Sequence, residues 1–424
     1  MREIWSRHHF WLFVFAFALT VRIIALQFIP PPALKWLPYQ FDLRASQLMA
    51  GETIAFPDAW ASFHIVLAGF YAVFEWLEAL EHRVLLWAYV QSVMAAIAAA
   101  ILYDLTRKLC GSNRIALAAG VLFSLHYPFL YLNTLVLSET TFVLVLVAAF
   151  HVLLTWQPSV KSLALAGVLL GIALICRPIL TPFFPLLGIW LLVTMERGKR
   201  IKYLAILGLG VAAVMTIASS INADTGRHHR FSYSGNTGAN VALAQCRLKT
   251  LRYDLPSGEY FWFSPPSSWG GSLPTVKTDV PFYEDSYYLR MGLNCVLEEP
   301  SRLVGNFAHL ARLYHSVLYP DFADNRHHRT LVDVWKFPAV ILTLAFIAAP
   351  LVRRECLTSK AYWLFAALFV SLFVSTYVAN PGEERHFVPY FWVLLPYGLP
   401  ALLQFLHEHP ASASDGSRQE PTTV

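Results

Sequence analysis

Apolar residues along this chain gather into runs of about 20, separated by short basic or polar stretches. Such runs predict membrane-spanning helices at 9–30, 83–107, 115–132, 135–155, 162–176, 179–195, 203–222, 334–352, 361–379 and 386–406. Two long interruptions remain, 31–82 and 223–333. The stretch Ala59–Leu77 is also apolar, but His64 and Glu75 break it and Pro57 precedes it. It predicts a helix on the membrane surface and not a span. The N-terminal run is too long for a signal-peptide core, and no small-residue cleavage site clearly follows it, so it reads as a retained first span. The expected class is an all-α polytopic membrane protein of about ten spans, with a first-loop pair of amphipathic helices and one large outer loop.

Composition supports this class. Hydrophobic residues make up 56% of the 424 and charged residues 14%, with a mean hydropathy of +0.49. Those values exclude a single soluble globule, a disordered chain and a secreted disulfide scaffold. The net charge of +5 is scattered in short clusters, which argues against a nucleic-acid partner. The clusters do set an orientation. Fourteen Lys and Arg fall on the face with the termini, among them Arg107, Lys108, Arg197, Lys199, Arg200, Lys202, Arg353 and Arg354, against five outside the long loop on the other. The positive-inside rule then puts both termini in the cytoplasm and both long loops outside, and a span at 59–77 would invert everything after it. The expected organisation is a transmembrane module over 1–222 that includes the first loop 31–82, a loop domain over 223–333, C-terminal spans over 334–407 and a disordered tail over 408–424. Cys246 and Cys295 are the two cysteines of the large outer loop and are expected to be bonded. The other three fall in cytoplasmic loops or a span.

Charges near hydrocarbon are costly and mark candidate sites. Arg22 sits near the outer end of the first span, Glu139 opens the fourth and Arg177 ends the fifth. Glu383, Glu384, Arg385 and His386 open the last, and Asp42 follows the first. All point to one ionisable pocket at the outer boundary, roofed by the two loops. Residues 40–51 predict a short helix with Phe41, Ala45, Leu48 and Met49 on one face, Asp42 and Arg44 off it, and Gly51 as its cap. The large loop carries an aromatic and proline-rich stretch at 260–271 and a helical pattern over 283–319 interrupted at Pro300. Its exposed aromatics suit stacking on sugar rings or anchoring at the interface. No P-loop, G-x-G-x-x-G, H-E-x-x-H or C-x-x-C is present, and the pairs His228–His229 and His327–His328 are adjacent residues poorly spaced for a metal.

In order and sidedness these parts resemble the GT-C integral-membrane glycosyltransferases, in the branch of protein O-mannosyltransferases and the lipid A aminoarabinose transferase. The resemblance rests on Arg22, on Asp42 to Gly51, on the second span at 82–111 and on LSETTFVLVLVAAFHVLL at 137–154. It continues through the Gly-rich span ending in Arg177–Pro178, the loop element at 285–303 and ERHFVPYFWVLLP at 384–396, where His386 stands in place of the usual Tyr. It implies an inverting transferase in a bacterial inner membrane with its active site on the periplasmic face. A sugar passes from a polyprenyl-phosphate donor to a lipid, glycan or protein acceptor. The implied general base is Asp42. The implied phosphate-binding residues are Arg177 and Arg385, then Arg44 and Lys35. Glu139 and Glu384 orient those arginines or bind sugar hydroxyls, and Asp58 and His64 complete the sugar or acceptor side. Many relatives carry two adjacent acids in the first loop, whereas Leu43 follows Asp42 here, so Asp58 or Glu52 is a second candidate base. No cofactor is required by the sequence; some branches use a divalent metal, which Asp42 with Asp58 would hold.

Two other classes share parts of the pattern. A ligase or polymerase using a diphosphate-linked glycan would carry an Arg-rich outer loop, but the Lys and Arg of 227–336 are dispersed. A transporter would place charges and broken helices at mid-membrane in repeated halves, and no repeat is visible.

Overall fold

The structure is a computed structural model; it describes residues 2–29, 36–54, 62–226, 229, 231–234, 237–246, 250–253, 261–264, 276–278, 284–301, 303–305, 326–379 and 384–408. Helices α1 (Arg2–Phe28), α2 (Trp36–Met49), α3 (Phe63–Trp76), α4 (Arg83–Cys110), α5 (Asn113–Leu125), α6 (Tyr127–Leu132), α7 (Glu139–Thr155), α8 (Val160–Cys176), α9 (Phe183–Thr194) and α10 (Arg200–Thr225) form the first part. Then come α11 (Thr237–Gln245), strands β1 (Thr250–Tyr253), β2 (Phe261–Ser264) and β3 (Val276–Thr278), and α12 (Asp285–Glu298). The chain ends with α13 (Arg326–Val352), α14 (Glu355–Thr358), α15 (Lys360–Ala379) and α16 (Phe391–Glu408). The chain is a multi-pass, helical membrane protein. Its large loop adds a three-stranded antiparallel sheet, β1-β2-β3, with Thr250 opposite Ser264 and Phe261 opposite Thr278, which the sequence pattern did not predict.

Among the described residues six helices are long and apolar enough to cross a membrane: those ending at Phe28, Cys110, Thr225, Val352, Val378 and His407. The other four predicted spans correspond to shorter helices. The stretch 115–132 is α5, of 13 residues, followed by the six-residue α6. His126 is extended between them and Pro128 lies in the first turn of α6, where a missing N–H costs nothing. Helices α7 and α8 have 17 residues each and α9 has 12. At 1.5 Å per residue these reach roughly 18–26 Å, short of a hydrocarbon core of about 30 Å. The predicted surface helix is α3, with 14 residues.

Helices α4, α7 and α8 form the buried centre, with α1 and α5 on one side, α10 beyond α8, and α16 closing the far side against α13. Helices α4 and α7 run parallel. Gln91 bonds the segment before α7, and His151 near the other end of α7 bonds Asp104 of α4 at 2.8 Å. Glycines let α8 and α10 touch along their backbones. A Cβ on Gly167 would lie 2.4 Å from the Leu207 carbonyl oxygen, and one on Gly210 2.9 Å from that of Ala164.

The molecule therefore has two ends. One carries Arg107–Arg114, Arg197–Lys202 and Arg353–Lys360. The other carries α2, α3 and the large loop, and there the two interruptions meet. The Asn222 amide near the end of α10 donates to Ser62 Oγ (2.9 Å) and to the Ser232 carbonyl (2.7 Å), and Ser62 Oγ donates to the Tyr233 carbonyl. Within the loop Cys246 and Cys295 are joined, tying α11 to α12. The Gln245 amide donates to the Tyr377 and Val378 carbonyls at the end of α15 (3.2 and 2.8 Å).

Candidate active site

Helix α2 carries Phe41 and Ala45 on one face with Asp42 and Arg44 off it, and in the structure all four are buried. Helix α2 lies against α3, and Arg83 at the start of α4 reaches it as well, so a second face is covered. Phe41 meets Phe63 of α3 edge-on at 5.1 Å, and Phe63 and Phe70 pack on Trp87 of α4.

Burying Asp42, at 3% exposure, demands partners for its charge. Tyr71 Oη donates to Oδ1 at 2.7 Å. Arg83 Nε donates to Oδ1 at 2.8 Å and Arg83 Nη2 to Oδ2 at 3.0 Å, a two-bond fork. Burial and then the Asp42 charge push the Tyr71 phenol up, so it is a neutral donor throughout the physiological range. These donors take three of the roughly four lone-pair directions of a carboxylate, leaving one on Oδ2.

Arg83, Trp87 and Gln91 stand four residues apart on one face of α4. Eight residues of helix correspond to roughly 12 Å, so Gln91 marks a second level that far along α4 from Arg83. There the Gln91 amide donates to the Asn133 and Leu135 carbonyls at 3.0 and 2.7 Å. With the Asn133 amide oriented to satisfy its neighbours, its oxygen accepts from Arg22 Nε at 2.9 Å and its nitrogen donates to Thr140 Oγ1 at 2.7 Å. Arg22 is 1% exposed; its Nη1 donates to the Ala18 carbonyl, and its guanidinium lies 5.8 Å from the ring centres of Phe123 and Phe129. This knot fixes the segment leading into α7.

Glu139 opens α7, where the helix dipole favours an acid. Arg177 follows α8 in extended conformation just before Pro178. Arg177 Nη1 and Glu139 Oε1 are 2.6 Å apart and both side chains are buried. The guanidinium lies 5.8 Å from the Phe142 ring centre, with the Tyr390 phenol beside it.

The charges expected to form one pocket at the outer boundary therefore divide into two levels. Asp42, Tyr71 and Arg83 form the one nearer the large loop. Glu139 and Arg177 form the deeper one, beside Gln91 and Met94, which accepts from Thr141 of α7. Arg44 is buried on α2 and His64 on α3, neither in the Asp42 fork. Lys35 and Asp58 lie outside the described residues, as do the side chains of Glu384 and Arg385, whose backbone belongs to a 3-10 helix over Glu384–Tyr390. Sequence reasoning missed Tyr71, Gln91, Asn133 and Tyr390, and counted Arg83 only as a loop charge. An arginine followed by a polar residue eight positions on in an apolar helix was the available signal. Among the described residues no three His, Cys, Asp or Glu side chains gather as metal ligands. Among the described residues the donors around Asp42 are an arginine and a phenol, which suit a bare carboxylate, and Asp58, the expected second ligand of a divalent metal, lies outside the described residues.

No family model matches the chain and no curated protein matches it. Among solved structures it is similar to the Archaeoglobus fulgidus oligosaccharyltransferase tethered with an acceptor peptide, at 12% identity over 96% of this chain and 51% of that one, with a TM-score of 0.51. A structure of ArnT from Cupriavidus metallidurans bound to undecaprenyl phosphate is similar at 14% identity over 94% of this chain and 79% of that one, with a TM-score of 0.40. The first likeness is one of fold: the chain shares the fold of that oligosaccharyltransferase. The chain spans about half the length of that oligosaccharyltransferase.

Proposed function

We propose that this chain is a GT-C glycosyltransferase that moves a sugar from a polyprenyl-phosphate donor to a lipid, glycan or protein acceptor. The observation that carries the reading is a carboxylate, Asp42, buried beneath the loop end in a three-donor grip that orients it and leaves one lone pair on Oδ2. The acceptor oxygen attacks the anomeric carbon and its proton passes to that oxygen of Asp42. The bond from the anomeric carbon to the phosphate oxygen breaks with its electron pair, and the carrier leaves as a phosphate. Cations fixed in advance stabilise that charge. Arg83 is beside the reacting carboxylate, and Arg177 is oriented by Glu139. Arg385, Arg44 and Lys35 are further phosphate-binding residues in this reading, with Glu384, His64 and Asp58 toward sugar and acceptor. The Archaeoglobus oligosaccharyltransferase of similar fold is tethered with an acceptor peptide, which supports an acceptor substrate for this chain as well. In this reading the termini are cytoplasmic, the loop end faces the periplasm, and the membrane is a bacterial inner membrane.

The test is turnover of a panel of polyprenyl-phosphate sugars by the purified chain in lipid, with membrane extract as acceptor source, for wild type and Asp42→Asn. Donor loss in wild type and none in the variant is the expected result. Equal loss in both moves the base to another carboxylate, Asp58 first. No turnover of any donor by folded protein overturns the reading in favour of a diphosphate-linked ligase or a transporter.

A further inference from the structure

The end opposite the candidate active site has a cavity of its own. It lies between the end of α4 and start of α5, the α13–α14 turn and the last turns of α16, with a volume of about 610 Å³. Its frame is fixed. Pro400 has no N–H, so the Pro396 carbonyl has no donor four residues on, and Cys110 Sγ donates to it at 3.0 Å. That bond ties α4 to α16 across the cavity wall. Ile115, Val352 and Leu403 supply an apolar wall, and Arg353, Arg354 and His407 a basic rim. One carboxylate lines it, Glu355, which is bonded to Arg353 and mostly exposed. Two arginines against one acid leave the rim positive. Leu403 and the adjacent Leu351 and Leu406 are exposed, so the apolar wall continues onto surface that meets lipid.

We propose that this cavity is a binding site for a phosphate-bearing anion, seated by Arg353 and Arg354, and that its source is the headgroup of an anionic phospholipid. The cationic rim matches the phosphate, since guanidinium binds phosphate oxygens in pairs. The apolar wall favours a lipid over a free anion, because it gives acyl chains a surface continuous with the bilayer-facing leucines. An arriving phosphate competes with the Glu355 carboxylate for Arg353 and meets Arg354 directly. The site would join four helices that leave the membrane at this end. It is independent of the glycosyltransferase reading and would stand if that reading fell.

The experiment uses the full chain in nanodiscs of phosphatidylcholine with or without phosphatidylglycerol of the same acyl chains, and reads lipid retained by native mass spectrometry. A preference of about 25-fold for phosphatidylglycerol is expected, about fivefold for each arginine. It should fall about fivefold in Arg354→Gln and vanish in Arg353→Gln/Arg354→Gln. Leu403→Trp keeps both charges, fills the apolar wall and should also abolish the preference. Displacement of the lipid by inorganic pyrophosphate at equal concentration would keep the anion site and reassign its source to a soluble phosphate. Equal retention of both lipids by wild type, or a preference untouched by the arginine pair or by Leu403→Trp, overturns the proposal. Circular dichroism and gel filtration establish that each variant is folded.

Discussion

At the scale of single residues, Asp42 is useful for chemistry because of what holds it. Tyr71 and Arg83 come from 29 and 41 residues away in sequence, so a single sequence shows the acid and not its grip. The acid was legible because the family resemblance puts a first-loop carboxylate at this position; its partners were not, since pairing depends on how α3 and α4 fold back over α2. Removing them should have unequal effects. Tyr71→Phe deletes one hydrogen bond to a charged acceptor and should cost about 1.5–3 kcal/mol. Arg83→Gln leaves a buried carboxylate without its cation and approaches about 3 kcal/mol, reduced because Arg83 is a third exposed. Thermal unfolding of both variants in detergent checks the order. In turnover assays Arg83→Gln should lower kcat more than Tyr71→Phe, because it removes two of the three bonds that orient the Asp42 carboxylate. Glu139 and Arg177 follow the same logic in a drier setting. Glu139→Gln and Arg177→Gln should each cost about 3–5 kcal/mol. The double variant should cost less than the sum, which a double-mutant cycle reads directly.

At the scale of elements, hydropathy located the helices better than it judged their reach. An apolar run says that a segment is buried in lipid or protein, and α5, α8 and α9 carry that signal at 13, 17 and 12 residues. What ended them early were local breakers: His126 extended before Pro128, and Arg177 extended before Pro178. Both breaks lie next to the deeper level of the candidate site, so the shortness of these helices brings loop backbone and charged side chains down to Gln91. The α8–α10 contact sets how close this layer can pack. Gly167→Ala on α8 places a Cβ against the Leu207 carbonyl and should cost about 1–3 kcal/mol by forcing the backbones apart, whereas Gly208→Ala on α10 meets nothing within 4 Å and should be neutral or slightly stabilising. The melting temperatures of the two variants separate packing from helix propensity. In the large loop, the α11–α12 bond closes a sequence separation of 49 residues. In the chain-entropy account such a closure is worth about 4 kcal/mol. Cys246→Ser/Cys295→Ser should therefore loosen the loop, seen as faster proteolysis within 223–333, while the short helices α5 to α9 keep their protection.

At the scale of the whole molecule, the two ends are chemically different, and the difference decides how the chain sits. The basic clusters at 107–114, 197–202 and 353–360 gather at one end in the fold as well as in the sequence. Asp42, Glu139 and Arg177 stand toward the other. The positive-inside argument depends on α3 not crossing, and both of its ends stay at the loop end: Ser62 before it bonds Asn222 and the Tyr233 carbonyl, and Arg83 after it bonds Asp42 of α2. Labelling from one side tests the orientation. In a background that keeps the Cys246–Cys295 bond and replaces Cys110, Cys176 and Cys356, single cysteines are placed at Glu81 and Gly198. Both positions are exposed, Glu81 beside the start of α4 at the loop end and Gly198 in the basic turn before α10. A membrane-impermeant maleimide added to spheroplasts should label Glu81→Cys at once and Gly198→Cys only after the membrane is opened. The reverse pattern would turn the molecule over and put the Asp42 carboxylate on the cytoplasmic side, where a donor exposed at the outer leaflet could not reach it. Labelling of both from the same side would mean that the segment between them crosses one time more or fewer than the fold allows. Only the expected pattern keeps the loop end, the buried carboxylate and an acceptor arriving from outside on one side of the membrane, with the arginine-rimmed cavity on the other.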